Sequence, residues 1–178
     1  VDGVLVIGEH GEYPSTEKGQ RQYPRHSFFV QIADVFRDSG RAAPVFNDKH
    51  LSYDWSQAVE MYDTSLELGF AFMAGSSLPV TWRIPALELP LGADVREAVC
   101  VGYGGVDSYD FHGLETLQCM VERRGDGEVG VASIEALRGD AVWQALSDGR
   151  VDPALYWAAL ARSFTRKPKG EDDGDFRP

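Results

Sequence analysis

The stretch Ala43-Pro44-Val45-Phe46-Asn47-Asp48-Lys49-His50-Leu51-Ser52-Tyr53-Asp54-Trp55 decides how the chain is read. It opens on a short apolar run, passes through four polar side chains able to do chemistry, and enters a helical pattern. Ala43 to Phe46 has the brevity expected of a strand in a parallel sheet. Asn47 to Leu51 reads as the connecting loop. Ser52 is a candidate N-cap, and Trp55, Ala58, Val59, Tyr62 and Leu66 recur at helical spacing as the expected apolar face. Gly69 closes that helix.

The same design lies on both sides. Upstream, Val1 to Gly8 is an apolar run expected to form a strand buried on both faces. Glu9 to Pro24 is polar and reads as a loop. Ser27 to Ser39 then sets Phe28, Phe29, Ile32, Val35 and Phe36 at helical spacing, with Gly40 as the stop. Downstream, Phe70 to Ala74 is a third strand, followed by the turn Gly75-Ser76-Ser77. Strand, helix, strand, helix, strand at this spacing predicts a doubly wound, Rossmann-like parallel α/β sheet.

Past Arg83 the texture changes. Pro85, Pro90 and Gly92 mark a linker. Val95–Tyr103 predicts a strand, and His112–Glu122 a helix carrying Leu114, Leu117, Met120 and Val121. Val129–Leu137 predicts a strand running into a turn. Ala141–Leu146 and Pro153–Phe164 predict two more helices, with Pro153 suited to a first turn. The expected organisation is a parallel half-sheet over residues 1–84, followed by the start of an α+β domain over residues 85–178.

A formal net charge of -11 argues against a nucleic-acid or anionic-membrane partner, since phosphates demand a basic footprint. It leaves room for a small anionic ligand in a local basic pocket. The tail Glu171-Asp172-Asp173-Gly174-Asp175 contributes to the acidity and reads as solvated. Cys100 and Cys119 make no disulfide framework, which points to a reducing, cytoplasmic compartment. No apolar run approaches the roughly 20 residues of a membrane span. The chain opens on Val1, inside an expected strand, and stops on Phe176-Arg177-Pro178. It is therefore expected to be a fragment, with its true start upstream.

In open parallel sheets, ligands bind beyond the carboxyl ends of the strands. Three such ends carry Glu9-His10, Asn47-Asp48-Lys49-His50 and Gly75-Ser76-Ser77. Lys49 is a candidate to orient a substrate hydroxyl or relay a proton, or else an exposed loop lysine. Asp48 and His50, completed by His10 and Glu9, could hold a divalent ion, although an aspartate in such a loop more often caps the next helix. Ser76 and Ser77 could contact phosphate or sugar hydroxyls, or form a plain turn. His112 stands at a helix start with Glu115 nearby, as a general acid or base or as a structural histidine. There is no Gly-x-Gly-x-x-Gly after a strand, no Walker-type loop, no Gly-x-Ser-x-Gly elbow and no Cys-x-x-Cys. Gly102-Tyr103-Gly104-Gly105 is not followed at once by a helix.

The order of parts from Val45 to Ser77 resembles the second half of the nucleotide-binding domain of Gfo/Idh/MocA-type oxidoreductases. Asp48-Lys49-His50 stands where that family carries Glu-Lys-Pro. Gly104-Gly105 and His112-Gly113-Leu114-Glu115 echo its later Gly-Gly and His-x-x-Asp. Asp replaces Glu, His50 replaces the proline, and Glu115 replaces Asp. The cofactor loop would lie upstream of Val1. The resemblance touches about 115 residues and implies a divergent bacterial branch.

By that resemblance, Lys49 and His112 take the catalytic roles, and Asp48, His50, Glu115, Trp82 and Arg83 line the substrate site. Glu9, His10, Ser76 and Ser77 would lie toward the cofactor, NAD or NADP. The implied activity is hydride transfer on a sugar, a polyol or a similar small hydroxylated substrate, in a protein that could form a homo-oligomer. Two other readings stay open. One is a ligand-binding or regulatory module that kept the crevice and lost turnover. The other is a metal-dependent hydrolase or isomerase built on His10, Asp48 and His50.

Overall fold

The computed structural model describes residues 1–8 and 11–162. Glu9, His10, Phe164 and the acidic tail lie outside the described residues. The protein is mixed α/β. Three strands, β1 (Val4–Val6), β2 (Val45–Asp48) and β3 (Phe72–Gly75), form one parallel sheet in the order β1-β2-β3. They are joined by helices α1 (Arg25–Ser39) and α2 (Trp55–Leu68). Helices α3 (Phe111–Val121), α4 (Asp140–Ser147) and α5 (Pro153–Leu160) follow. The chain divides into two compact units. The first holds Val1–Thr81 with Gly104–Glu115. The second holds Trp82–Tyr103 and the chain from Thr116 onward.

Right-handed crossovers between sequential parallel neighbours carry α1 and α2 to the same face of the sheet. Beneath them lies the core of Val6, Phe29, Ala33, Phe36, Ala43, Val45, Met61 and Phe70. Phe29 and Phe72 pack with tilted rings at a centroid distance of 5.0 Å, and Phe36 meets Phe70 edge-on at 5.3 Å. The opposite face is apolar and largely exposed at its edges. Register aligns Leu5 with Phe46 and Phe46 with Met73. Leu5 is 72% exposed and Met73 53%. The expectation that the first strand is buried on both faces is therefore corrected: one face is covered and the other open.

The packing side of α2 also differs from the expectation. Met61, Thr64 and Ser65 are its buried residues, whereas Trp55 is 82% exposed and Val59, Tyr62 and Leu66 are exposed as well. Apolar spacing defines a stripe but does not say which side meets the sheet. The buried Ser65 keeps its hydroxyl satisfied by donating to the Tyr62 carbonyl at 2.6 Å. The N-cap is Asp54, not Ser52: its Oδ1 accepts from the Gln57 amide at 3.1 Å. Ser52 Oγ instead accepts from the Asp54 amide and donates to Gln57 Oε1. Gly40 and Gly69 close the two helices in left-handed geometry, as their positions predict.

The connection from β1 to α1 is more ordered than a plain loop. Ser15 pairs with Arg21 across a turn that closes at Gly19, and Gln20 Nε2 donates to the Tyr53 carbonyl at 3.0 Å. In the second unit, Val95–Tyr103 and Val129–Leu137 are irregular, so the expected strands and α+β character are not found among the described residues. A strand needs a neighbour for its amides and carbonyls. Among the described residues of this unit, the backbone pairing of this kind is a lone bridge, Ala93 to Arg124. Helices α4 and α5 are brought together by Trp143 against Tyr156, edge-on at 6.3 Å. Asp152 caps α5 and Pro153 opens it. No helix among the described residues is long and apolar enough to cross a membrane.

Phe29→Ala should destabilise the first unit by about 3–5 kcal/mol, the cost of emptying a buried aromatic site. Trp55→Ala should cost less than about 0.5 kcal/mol. Urea unfolding of both variants checks the difference, and equal costs would place Trp55 in the core.

Candidate functional site

Strand β2 runs through the middle of the sheet, and its carboxyl end turns sharply. Lys49 follows with φ 68°, the positive-φ non-glycine residue of the described chain. This conformation costs an ordinary side chain roughly 1–2 kcal/mol, and such strain gathers at ligand sites. The turn is held because the Lys49 amide donates to the Gly75 carbonyl at 2.9 Å, tying it to the end of β3. Lys49 Nζ then donates to Asp48 Oδ2 at 2.9 Å.

Beyond this turn lies a cavity of about 280 Å³. Tyr23, Arg25, Lys49, His50, Asp107, Ser108, Tyr109, Phe111 and His112 line it. Four parts of the first unit build it: the approach to α1, the turn after β2, the start of α3, and a π-helical turn over Val106–Asp110. That turn is pinned where Asp107 Oδ2 accepts from the Arg21 amide at 3.1 Å. π-Helical turns are rare and often lie at functional sites.

Arg25 is the first residue of α1 and only 1% exposed. Its guanidinium carbon lies 4.5 Å from the centre of the Tyr23 ring, and its Nη1 meets His50 Nε2 at 3.0 Å. The His50 ring sits edge-on between Tyr23 at 6.3 Å and Phe111 at 5.5 Å. Burial first, and the Arg25 charge next, push the His50 imidazole down to about 4. Asp107 acts in the opposite direction and Lys49 adds to the depression. His112 touches the rings of Tyr109 and Phe111.

Of the site residues expected from sequence, Lys49, His50 and His112 come together around one cavity. Asp48 stands at the end of β2 and holds Lys49. Glu115 and Ser76 meet each other: Glu115 Oε2 accepts from the Ser76 amide at 2.8 Å, which ties α3 to the end of β3. A side chain at Gly75 would meet Glu115 Oε1 at 2.9 Å, so the contact leaves no spare room. Ser76 Oγ accepts from the Leu78 amide at 3.3 Å, and Ser77 leads into the short 3₁₀ turn Leu78–Val80. Trp82 and Arg83 belong to the second unit. There Trp82 is 98% exposed, and Arg83 donates to the Leu87 carbonyl and Cys119 Sγ and pairs with Glu88. Glu9 and His10 lie outside the described residues. Among the described residues no group of three or more His, Cys, Asp or Glu is placed to hold a metal.

Sequence reasoning missed Tyr23, Arg25, Asp107, Ser108, Tyr109 and Phe111. Arg25 did leave a signal. A cation opening a helix whose first turn has no acidic residue opposes the helix dipole, and local conflicts of this kind mark functional positions. The π-helical turn left none. No protein-family description, no curated protein and no solved structure matches this chain.

Two measurements follow. The unfolded imidazole takes its proton near pH 6.5 and the folded one near 4. Between these values the unfolded chain binds more protons, so stability falls as pH drops from about 6.5 to about 4 and levels off below. The urea midpoint against pH should lose that part of its slope in His50→Asn; an unchanged slope would assign the loss to other groups. Lys49→Gly should keep or raise stability by up to about 1 kcal/mol, because glycine relieves the positive φ. A large loss would mean that the Lys49 side chain holds the turn.

Proposed function

We propose that the first unit binds a small hydroxylated molecule, such as a sugar or a polyol, in the cavity at the carboxyl end of its sheet. Lys49 holds a ligand hydroxyl, and His112 exchanges its proton. The observation that carries this reading is that Lys49 and His112, far apart in sequence, line one cavity with His50 between their segments. Its volume of about 280 Å³ suits a ligand below the drug-sized range of about 300–1,000 Å³. Tyrosine, serine and imidazole groups around it offer the donors and acceptors that fix a polyol's orientation.

A Rossmann-like origin is supported by the sequential parallel order β1-β2-β3, with both connecting helices carried to one face. One half of a doubly wound sheet has this order. Oxidoreduction of the bound hydroxyl with NAD or NADP is the finer reading. The described residues do not fit a dinucleotide by themselves. The cavity is too small, the chain has no glycine-rich phosphate loop, and the Ser76 amide at the end of β3 already donates to the Glu115 carboxylate. A nicotinamide reaction thus requires a pyrophosphate seat made by residues other than these. A binding or regulatory module needs no such seat and uses the same crevice.

The test is calorimetric titration of the full chain with glycerol, glycerate, and C5 and C6 sugars and polyols. Lys49→Ala should weaken the ligand that binds by about 1.5–3 kcal/mol, the worth of a hydrogen bond to a charged group, or roughly 10- to 100-fold in Kd. His112→Gln should leave binding within about threefold, a difference of under 1 kcal/mol, and abolish any turnover. Binding untouched by Lys49→Ala would remove the crevice from this role. Parallel titrations with NADH and NADPH, followed by tryptophan fluorescence, address the oxidoreductase reading, and no binding of either would favour the non-catalytic module.

A further inference from the structure

We propose that His50 is a fixed hydrogen-bond donor of the crevice, whose Nδ1–H meets an anionic oxygen of the ligand, while Arg25 behind it is the positioning residue that locks this tautomer. The proposal rests on the reading that the crevice binds a small molecule, and it names the ligand's class: a hydroxylated compound bearing a carboxylate or phosphate.

The lock follows from the inventory of protons. A guanidinium has five N–H donors, keeps its charge, and cannot accept. Arg25 Nη1 lies 3.0 Å from His50 Nε2, so Nε2 must accept. An imidazole that accepts at Nε2 is neutral and carries its one proton on Nδ1. Arg25 is almost fully buried and starts a helix, so it cannot easily swing away. The Tyr23 and Phe111 rings bracket the imidazole and fix its plane.

Nδ1 makes no hydrogen bond among the described residues and is not one of the buried polar atoms lacking a partner. Solvent therefore reaches it, and His50 lines the cavity. The low proton affinity of the ring agrees with this geometry. Among the described residues, the charged and titratable groups facing His50 are Tyr23 and Arg25 at the start of α1, Lys49 from its own turn, Asp107 and Tyr109 from the π-helical turn and His112 from α3. The carboxylate among them is Asp107, which also accepts from the Arg21 amide. Drawing the Nε2 lone pair toward a guanidinium makes the opposite N–H a stronger donor, and charge-assisted bonds are roughly twice as strong as neutral ones. The donor therefore discriminates in favour of a carboxylate or phosphate oxygen over a hydroxyl.

The experiment is ¹⁵N–¹H long-range NMR of the full chain, labelled at histidine, from pH 5 to 8. His50 should show the Nδ1–H pattern throughout this range. An Nε2–H pattern, or a ring that titrates near 6.5, overturns the proposal even if ligands bind. The same spectra are then followed on adding inorganic phosphate, glycerate and glycerol. Glycerate or phosphate should shift the His50 Nδ1 resonance at least tenfold more tightly than glycerol, and equal response to all three overturns the selectivity. His50→Asn, which keeps an amide N–H near the Nδ1 position, should bind within about fivefold of the parent, whereas His50→Phe should lose at least tenfold. Equal losses in the two variants also overturn it. If the tautomer is as stated but no probe perturbs His50 or His112, the crevice reading itself fails, and the selectivity fails with it.

Discussion

A guanidinium buried behind a neutral imidazole joins two parts of the chain that the topology merely brings close. Arg25 opens α1, and His50 follows the strained turn that ends β2. Their contact therefore fixes the start of one helix against the exit of the central strand. A buried charge is tolerated only with partners that replace its water. Here the Tyr23 face and His50 Nε2 are among them. The same contact adds to the effect of burial in keeping a second proton off His50, because a cation at 3.0 Å opposes another on the ring. Architecture and site chemistry thus depend on one pair.

The sheet supplies the stage for that pair. Parallel neighbours joined by right-handed crossovers send every strand the same way, so their carboxyl ends share one rim. β2 is ladder-bonded on both sides, and Val45 and Asn47 on it are fully buried. Lys49 adopts its positive φ because the chain must leave β2 while its amide still bonds to Gly75. Glu115 serves the rim from the other side by accepting from the Ser76 amide. Glu115 stands on α3, and its carboxylate is engaged with the backbone at the end of β3.

The roles expected from a resemblance to Gfo/Idh/MocA oxidoreductases fall on Lys49 and His112, and both residues line one cavity. The chemistry of the lining is more informative. Two imidazoles, a buried guanidinium and an ammonium paired with Asp48 surround a space of about 280 Å³. The open sheet face with Leu5, Phe46 and Met73 in register, and the outward stripe of Trp55, Val59, Tyr62 and Leu66, are apolar surfaces larger than single scattered residues account for.

The sequence by itself determined the mixed α/β class, the three short strands, both first-unit helices with their glycine stops, and the placement of Lys49-His50 just past the second strand, which runs on through Asn47 and Asp48, two residues expected in the loop. These are local properties, set by periodicity, by β-branched runs and by the left-handed geometry that glycine permits. Tertiary structure alone decided which side of α2 is buried, because Trp55 and Met61 both belong to plausible apolar stripes and only packing chooses between them. It alone withheld strands from Val95–Tyr103 and Val129–Leu137, since a strand exists through its partner. It also gathered Tyr23, Arg25, Asp107 and Phe111 around His50 from positions as distant along the chain as Tyr23 and Phe111 are. Side chains so distant in sequence carry no mutual signal in their spacing. Their meeting is set by the direction of the crossovers and by the burial of one arginine.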